Sequence, residues 1–484
     1  MRTKIVATLG PASMEYGIMN DMVKYGVRIF RLNFSHAEAA YFEPVVNSIR
    51  RIEGEIGKPL TVMADLCGPK IRIEEVAGSP LTINKGTTAV LGLEELRSRA
   101  DEGPFVGLAY PELLKGLEVG MPVSLSDGML SFVVTRVIDK DRLYLMEAQN
   151  GGILTSHKGI AFPGKYHPMP ALTAKDRKDL HEALDIGVDA VAVSFVQSAS
   201  DIVDVRNEIK RHGIWIPVVA KLERKNAYDI LEEIVDLSDA VMVARGDLGL
   251  ECPIASLPII QKKIIRACRH GQKASIVATQ MLLSMVKNPL PTRAETTDVA
   301  NAILDGADCV MLSEETAIGA YPVEAVRFIH EIAKQSEAYF LERVQGPYRP
   351  KQEKNPAKYL AYAAALMADN LESTAIVCHS VSGSTARLLS SRRPAQDIYA
   401  LSPRPEVVRQ MNFFWGVRPR VPDMSITSHV QRVEAFVDGQ DELSSEVPVV
   451  ITSGEPAHGQ DHAVTNTIKI FTKSPDLERG GDGS

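Results

Sequence analysis

The 484-residue sequence lacks the features that mark membrane proteins, secreted proteins and nucleic-acid-binding proteins. No apolar run approaches the ~20 residues of a membrane-spanning helix, and residues 1–7 show no apolar signal region. Asp and Glu (61) outnumber Lys and Arg (54), so the net charge of −7 gives no general attraction for nucleic acid or anionic lipids. We therefore expect a cytoplasmic protein with neither nucleic-acid nor membrane partners.

Cysteine and the common nucleotide motifs are also scarce or absent. The five cysteines are Cys67, Cys252, Cys268, Cys309 and Cys378. Their number is odd and none has the short paired spacing of a zinc site, which indicates reduced cysteines. The sequence contains neither G-x-x-x-x-G-K-[S/T] nor a strand-linked G-x-G-x-x-G. Any bound nucleotide must therefore be held by side-chain cations and a metal ion.

The sequence does contain a series of short apolar runs that each end on a polar or charged residue. Residues 218–220 lead into Lys221, residues 240–244 into Arg245, residues 274–278 into Thr279 and residues 309–312 into Ser313. Continuous apolar runs are typical of strands buried on both faces, as in parallel sheets. When such strands alternate with helices, their carboxyl ends carry the chemistry.

The number of these runs predicts a closed barrel. Three occur before residue 68, one spans 188–195, and the four above complete a set of eight. Helical patterns separate them, and one begins at Thr173 with a capping box that includes Asp176. Eight such units predict a (β/α)8 TIM barrel. An open doubly wound sheet is the alternative.

Two changes of pattern predict further domains. Short strands and turns between residues 69 and 164 indicate an inserted small β-barrel domain. A polar, proline-rich linker near residue 346 is followed by renewed strand–helix alternation, which predicts a separate α/β domain. We therefore expect a barrel domain over 1–68 and 165–345, an insertion over 69–164, and a carboxy-terminal domain over 346–484.

Lys221, Glu223 and Asp247 form the most informative candidate site. Lys221 and Glu223 are two residues apart on a strand, so both side chains point to one face. Glu223 and Asp247 supply hard oxygen ligands suited to Mg²⁺ or Mn²⁺, and Gly246 lets backbone N–H groups approach an anion. The alternative is a buried ion pair that joins strand ends.

Other candidates are weaker singly and informative together. Arg31, Asn33 and Ser35 alternate and share a face that suits phosphate recognition. Thr279 alone is a strand-ending residue of high β propensity, and His36 alone is a loop histidine. Lys70 and Arg72 also alternate, at the junction with the insertion.

These residues lie in motifs through which the chain resembles pyruvate kinases along nearly its whole length. The motif segments are residues 3–13 (TKIVATLGPAS), 31–36 (RLNFSH), 220–223 (AKLE), 242–249 (MVARGDLG), 278–282 (ATQML), 291–295 (PTRAE) and 310–317 (VMLSEETA). The resemblance implies transfer of the phosphoryl group of phosphoenolpyruvate to ADP, which gives pyruvate and ATP through an enolate. It also implies that the insertion is a mobile lid and that the carboxy-terminal domain serves regulation and assembly.

The resemblance also assigns roles residue by residue. It implies that Lys221, Arg31 and Thr279 are catalytic, and that Arg31, Lys221, Gly246, Asp247 and Thr279 bind the substrate. Glu223 and Asp247 match the ligands of Mg²⁺ or Mn²⁺. The implied nucleotide contacts are Asn33, His36, Arg72 and Lys158. The family is commonly tetrameric, so a homotetramer is expected.

The potassium region departs from the potassium-dependent members of the family. Asn33, Ser35 and Asp65 are present, but Leu66 stands at a threonine position and Lys70 at a glutamate position. Leu66, Lys70 and Ile73 resemble the potassium-independent branch. The physical account is that an ammonium group can supply the positive charge that K⁺ otherwise supplies beside the substrate. We expect activity without K⁺.

A hydroxyl-rich loop in the carboxy-terminal domain resembles the family's effector-phosphate loop. Its candidate residues are Ser380, Ser382, Gly383, Ser384 and Thr385, which follow a strand and precede a helical stretch. Such a loop suits a phosphorylated effector, and plain helix capping is the alternative.

Two rival functions stay open at this point. A metal-dependent aldolase of phosphoenolpyruvate or pyruvate chemistry would also place carboxylates and a metal at strand ends. A catalytically inactive metabolite sensor would keep the fold, although the intact Lys221, Glu223, Asp247 and Thr279 argue against it.

Overall fold

The computed structural model describes residues 1–69, 71–99, 101–126, 128–165, 169–343, 346–351, 354–454 and 465–473. The first strand–helix units are β1 (Lys4–Thr8), α1 (Tyr16–Lys24), β2 (Val27–Asn33), α2 (Ala39–Ile56) and β3 (Thr61–Asp65). The insertion contains β4 (Leu81–Ile83), β5 (Thr88–Leu93), β6 (Phe105–Leu108), β7 (Pro122–Leu125), β8 (Leu130–Asp139), β9 (Leu143–Ala148), β10 (Gly152–Leu154) and β11 (Ile160–Ala161). Lys70 lies outside the described residues.

The strand–helix alternation then resumes. It comprises α3 (Ala174–Asp185), β12 (Ala190–Val193), α4 (Ala199–Arg211), β13 (Val218–Leu222), α5 (Lys225–Asp229), α6 (Leu231–Leu237), β14 (Ala240–Ala244), α7 (Arg245–Glu251), α8 (Leu257–Gly271), β15 (Ala274–Ala278), α9 (Arg293–Leu304), β16 (Cys309–Leu312), α10 (Glu314–Ala317) and α11 (Pro322–Arg343). The last region has α12 (Pro356–Asn370), β17 (Ala375–His379), α13 (Ser384–Ser390), β18 (Asp397–Leu401), α14 (Pro405–Gln410), β19 (Val417–Arg420), α15 (His429–Asp438), β20 (Val449–Ser453) and β21 (Thr467–Phe471).

Eight parallel strands close into a barrel in the order β1-β16-β15-β14-β13-β12-β3-β2. Their buried apolar side chains explain the continuous runs, because one set fills the barrel interior and the other packs under the surrounding helices. The expected barrel is therefore confirmed, and the open doubly wound sheet is wrong. The capping box is also confirmed, since Thr173 Oγ1 accepts from the Asp176 N–H at 3.1 Å.

The insertion forms a six-stranded sheet, β11-β7-β8-β9-β5-β6, and a two-stranded sheet, β10-β4. Its buried side chains make a hydrophobic cluster separate from those of the barrel. The chain leaves the barrel after β3 and re-enters it before α3. Since β3 ends at the barrel's carboxyl-terminal rim, this insertion begins next to the edge where the candidate residues cluster.

The carboxy-terminal α/β domain is built on the sheet β19-β18-β17-β20-β21, parallel except for β21. The domain also closes the amino-terminal end of the barrel. Phe413 packs with the barrel's interior side chains, and the Cys309 thiol donates to the Phe413 carbonyl at 3.4 Å. The separate carboxy-terminal domain confirms the expected fold class. No helix in the described ranges is both long and apolar enough to cross a bilayer.

A buried histidine predicts the pH dependence of stability. His379, at the end of β17, stacks on His429 with a centroid distance of 4.1 Å, beside the Arg432 guanidinium. Burial, and then the charges of His429 and Arg432, lower the pKa of His379 to about 4. Because the unfolded imidazole titrates near ~6.5, the unfolded state takes up the proton first. Stability should therefore be lost as pH falls from about 6.5 to 4, by at most ~3 kcal/mol.

Urea unfolding at several pH values measures this slope. His379→Gln should flatten the dependence in that window, whereas His36→Gln, which changes an exposed imidazole, should leave it unchanged. Equal slopes for His379→Gln and the unchanged protein would contradict the assignment.

Candidate active site

The candidate catalytic side chains converge at the carboxyl ends of β2, β3 and β13. Arg31 Nε donates to Asp65 Oδ2 at 2.5 Å, and Lys221 Nζ lies 3.1 Å from Asp65 Oδ1. Lys221 Nζ also lies 3.0 Å from Glu223 Oε1 and donates to Ser194 Oγ at 2.6 Å. All three ammonium protons thus have acceptors, so Lys221 is held in one position before any substrate binds.

Burial makes these charges strongly dependent on one another. Burial opposes the charge of Lys221, but Asp65 and Glu223 outweigh it and raise the pKa of Lys221 above its ordinary value. Burial would likewise raise the pKa of Asp65, yet Arg31 and Lys221 hold it below the ordinary value. Lys221 therefore stays charged at neutral pH in a site that is almost removed from water.

Asp247 completes a pair of carboxylates with Glu223. Burial raises the pKa of Glu223; Lys221 opposes this rise, and the nearby Asp247 charge adds to it. Both carboxylates line one cleft. The cleft is lined by Ile71, Ser124, Gly159, Ile160, Ala161, Phe195, Glu223, Arg224, Asp247, Leu250 and Glu251. Since the set includes side chains of both the barrel and the insertion, the insertion covers this part of the barrel mouth.

The two carboxylates fit a divalent cation. With Arg31, Lys221 and Asp65 they make two positive and three negative charges, a net −1 that a divalent ion would convert to +1. Glu223 Oε2 accepts from the Phe195 N–H at 2.7 Å, which orients its carboxylate. Within the described ranges no group of three or more His, Cys, Asp or Glu side chains could hold a metal alone. Water or substrate oxygens would complete the coordination.

Thr279 and Gly246 meet at the neighbouring strand ends. The Gly246 N–H donates to Thr279 Oγ1 at 2.9 Å, and Thr279 Oγ1 donates to the Ala278 carbonyl at 2.6 Å. The backbone is strained at this rim, because Thr279 has φ +70° and Gln280 has φ +54°. Arg245 holds the turn by donating to the Thr279 carbonyl at 2.7 Å.

The candidate nucleotide contacts lie on two separate segments. Asn33 ends β2, and Ser35 and His36 follow in the turn. Arg72 and Lys158 are exposed on paired segments of the insertion, where Arg72 Nη1 donates to the His157 carbonyl at 3.0 Å. These residues form no hydrogen bond to the Lys221 network in the described part of the chain.

Leu66 follows Asp65 and contributes its backbone to the network, since its carbonyl accepts from Ser194 Oγ at 2.7 Å. Ser194 was missed by the sequence analysis, although it directly follows the apolar strand β12. Arg224 and Glu251 were also missed; they form a buried ion pair at 2.8 Å in the cleft wall. The rule that strand exits carry polar residues would have found Ser194.

The effector-loop candidates lie at the other end of the barrel. Gly383 has φ +77° and precedes α13, Ser382 Oγ donates to Ser384 Oγ at 3.1 Å, and Ser380 Oγ accepts from the Thr385 N–H at 3.2 Å. Ser382, Gly383 and Ser384 line an interdomain cavity of about 340 Å³. The loop is thus separate from the Lys221 network.

Comparison with known proteins agrees with this geometry. The family model described as "Pyruvate kinase, barrel domain" matches residues 1–326, and "Pyruvate kinase, alpha/beta domain" matches residues 358–471. A curated pyruvate kinase of Agrobacterium vitis is 45% identical over 419 residues, 86% of this chain and 85% of the relative. One from Staphylococcus saprophyticus is 34% identical over 484 residues (99% and 82%), and pyruvate kinase 2 of Synechocystis is 37% identical over 483 residues (99% and 80%).

Proposed function

This chain belongs to the pyruvate kinase family, and from that premise we propose how its residues perform the reaction. The enzyme transfers the phosphoryl group of phosphoenolpyruvate to ADP and gives pyruvate and ATP. The observation that supports our assignment of roles is the buried network of Arg31, Asp65, Lys221 and Glu223 beside Asp247. It supplies fixed charges where phosphoryl transfer needs them, because this reaction depends on positioning and charge stabilisation more than on covalent help.

Arg31 and Lys221 are the charge-stabilising residues of the proposal. Arg31 binds the phosphoryl oxygens, and its guanidinium is oriented by Asp65 and by Thr8 Oγ1, which accepts from Arg31 Nη1 at 3.0 Å. Lys221 neutralises the migrating phosphoryl group and the enolate oxygen that develops as the bond breaks. Since the network fixes its position beforehand, no reorganisation is needed during the reaction.

The remaining substrate contacts come from residues at the carboxyl-terminal rim of the barrel. The backbone of Gly246 and Asp247 anchors the substrate carboxylate, and Thr279 lies beside the carbon that is protonated. Glu223 and Asp247 would hold Mg²⁺ or Mn²⁺, and the bound ion would supply Lewis-acid stabilisation and a template for the reacting oxygens. Asn33, His36, Arg72 and Lys158 contact the nucleotide. The insertion acts as a lid that excludes water.

Assay of ADP-dependent pyruvate formation tests the proposal directly. Turnover that requires phosphoenolpyruvate, ADP and a divalent metal is expected. An aldolase would form or cleave a carbon–carbon bond without ADP, and an inactive sensor would bind substrate without turnover. Either outcome would replace the proposed function.

Potassium independence is a further expectation. Leu66 and Lys70 replace the threonine and glutamate positions of potassium-dependent relatives, so an ammonium group supplies the monovalent charge. Equal rates are expected in sodium and potassium buffers of the same ionic strength. Lys70→Glu should make the rate depend on K⁺. Lys115→Glu makes the same change of charge at a lysine of the insertion distant in sequence from Lys70, and it should leave the rate independent of K⁺. A many-fold K⁺ requirement of the unchanged enzyme would contradict the proposal.

Domain boundaries, assembly and regulation complete the proposal. The barrel comprises 1–68 and 165–345, the lid 69–164 and the carboxy-terminal domain 346–484, in keeping with their separate hydrophobic clusters.

The enzyme acts as a cytoplasmic homotetramer. Static light scattering of the purified chain measures the number of subunits and so tests the assembly. A phosphorylated effector binds the loop of Ser380, Ser382, Gly383, Ser384 and Thr385, and Ser384→Ala should weaken its effect on the rate.

A further inference from the structure

A second interdomain cavity lies at the amino-terminal end of the barrel, and we call it the basal cavity. It is lined by Met1, Thr3, Lys4, Lys24, Gly26, Arg28, Lys58, Pro59, His330, Asn412, Val417, Arg418, Pro419 and Arg420. Its volume is about 220 Å³, whereas a single water needs only ~10–15 Å³. None of these residues lines the cavity of the effector loop.

The side chains around the basal cavity carry charge of one sign. Six of them are basic, and no Asp or Glu is among the described residues that line the cavity. Lys24 is paired with Asp21 at 2.8 Å and Arg418 with Asp397 at 2.6 Å. The other four are Lys4, Arg28, Lys58 and Arg420. In the described part of the chain no carboxylate oxygen lies within 4.0 Å of their charged nitrogens.

Neutral carbonyls, rather than anions, accept hydrogen bonds from three of these cations, since Lys4 Nζ donates to the Val417 carbonyl and the two arginines donate as follows. Arg28 Nη1 donates to the Val23 carbonyl at 2.9 Å and to the Val27 carbonyl at 2.6 Å. Arg420 Nη1 donates to the Pro419 carbonyl at 3.0 Å. A carbonyl satisfies a donor without neutralising its charge, so these cations keep their positive charge, opposed only by the more distant carboxylates of Asp397 and Glu442 among the described residues.

Further features of the cavity agree with this imbalance. Burial, followed by the charge of Arg28, lowers the pKa of Lys4 to about 8. Burial, followed by Arg420 and Arg418, lowers the pKa of Arg28 to about 10. His330 Nδ1 is buried and has no hydrogen-bond partner among the described residues. The cations therefore repel one another, and His330 Nδ1 is available for a hydrogen bond to a ligand.

We propose that the basal cavity binds a small anion with two or more negative charges, of the phosphate-ester or polyphosphate class. Guanidinium groups bind phosphate oxygens in bidentate geometry, and two arginines with two lysines suit more than one charge. The concave shape and the overall charge of −7 fit a small molecule rather than a nucleic-acid backbone. The site is separate from the proposed catalytic and effector residues, so its failure would leave the proposed function unaffected.

The occupant would contact strands that also reach the active site. Lys4 begins β1 and Arg28 lies in β2, while Thr8 and Arg31 at the far ends of the same two strands are hydrogen-bonded to each other. The same two strands thus join the basal cavity to the proposed phosphoryl-binding arginine.

Calorimetric titration of the full chain with pyrophosphate tests the proposal, in metal-free buffer at constant ionic strength. In Lys58→Gln/Arg420→Gln, binding at this site should weaken about tenfold or more for each charge-assisted hydrogen bond removed. Arg51→Gln removes one positive charge from an exposed pair with Glu55 and should bind as the unchanged protein does. Glycerol 3-phosphate serves as a second probe. Binding of both probes would indicate a phosphorylated metabolite, and binding of pyrophosphate alone an inorganic polyphosphate.

Two results would overturn the proposal. One is pyrophosphate affinity and stoichiometry that are the same in the double variant and the unchanged protein. The other is no measurable binding by the unchanged protein at millimolar probe. Thermal unfolding without the probe checks the fold, and the midpoint should stay equal or rise in the double variant, because mutual repulsion is removed. The single variant Arg420→Lys keeps the charge and should retain binding within several-fold.

Discussion

Replacing Lys221 by Met should lower kcat about 10³-fold or more, while phosphoenolpyruvate still binds. Removal of one preorganised charge or donor typically costs ~10²–10³ in kcat, and a cation on the transferred phosphoryl group contributes ~10³–10⁵. Lys221 is placed for both effects, because Asp65, Glu223 and Ser194 fix its ammonium group. Initial rates of pyruvate formation at saturating substrates measure the loss.

Two further variants separate a chemical role from a structural one. Lys221→Met leaves Glu223 without its cation, and breaking a buried pair destabilises by ~3–5 kcal/mol, so circular dichroism must show a folded protein. Lys221→Arg keeps the charge but not the compact ammonium geometry, and it should fold normally with strongly reduced kcat. Lys225→Met removes an exposed ammonium that pairs with Asp229 and should leave kcat unchanged. Full activity of the folded Lys221→Met variant would refute the role of Lys221.

The second large effect is expected at the carboxylates. Glu223→Gln and Asp247→Asn should each raise the Mg²⁺ concentration for half-maximal rate by tenfold or more, since each removes a charged oxygen ligand. At low Mg²⁺ the rate should fall about 10²-fold or more, as for loss of a major electrostatic stabiliser. Steady-state rates over a range of free Mg²⁺ measure both quantities, and addition of a chelator should stop the reaction.

A matched control uses the same chemistry outside the site. Asp229→Asn changes an exposed carboxylate on α5, directly after the strand that carries Lys221. It should leave the Mg²⁺ dependence unchanged. If Glu223→Gln and Asp247→Asn show the same Mg²⁺ dependence as Asp229→Asn, the two carboxylates do not hold the metal.

The barrel and its rim were predictable because their signal is local. Each barrel strand is buried on both faces, so it reads as an apolar run, and the polar residue that ends it lies at the carboxyl rim. Lys221, Asp247 and Thr279 follow this pattern. The contact between Arg31 and Asp65 could not be predicted from the sequence. It depends on the register of β2 against β3, in which Asn33 pairs with Asp65.

The carboxy-terminal sheet was only partly predictable. The strands β17, β18 and β20 are buried apolar runs, which is the signal behind the predicted strand–helix alternation of this region. The edge strands β19 and β21 give no such signal. Strand β19 reads Val-Arg-Pro-Arg, with a proline that is tolerated only at an edge, and β21 has no fully buried residue and exposes Lys469 and Ile470. Edge strands bury too little side chain to produce a continuous apolar signal.

The basal cavity illustrates what sequence patterns do not contain. Lys4, Arg28 and Lys58 precede or begin three barrel strands, and Arg420 ends a strand more than 350 residues later in the chain. The adjacency of β1, β2 and β3 in the barrel brings the first three charges together, and the docking of the carboxy-terminal domain against the amino end of the barrel adds Arg420. Their positive potential is hidden in an overall net charge of −7.

Direct binding of Mn²⁺, followed by electron paramagnetic resonance, tests most directly whether the strand ends surround one divalent ion. The enzyme should bind one Mn²⁺ per chain at the Glu223–Asp247 pair. Lys221→Met should bind it at least as tightly, because a neighbouring positive charge is removed, and Glu223→Gln/Asp247→Asn should lose it. Unchanged Mn²⁺ binding by the folded double variant would show that the ion lies elsewhere and would contradict the site.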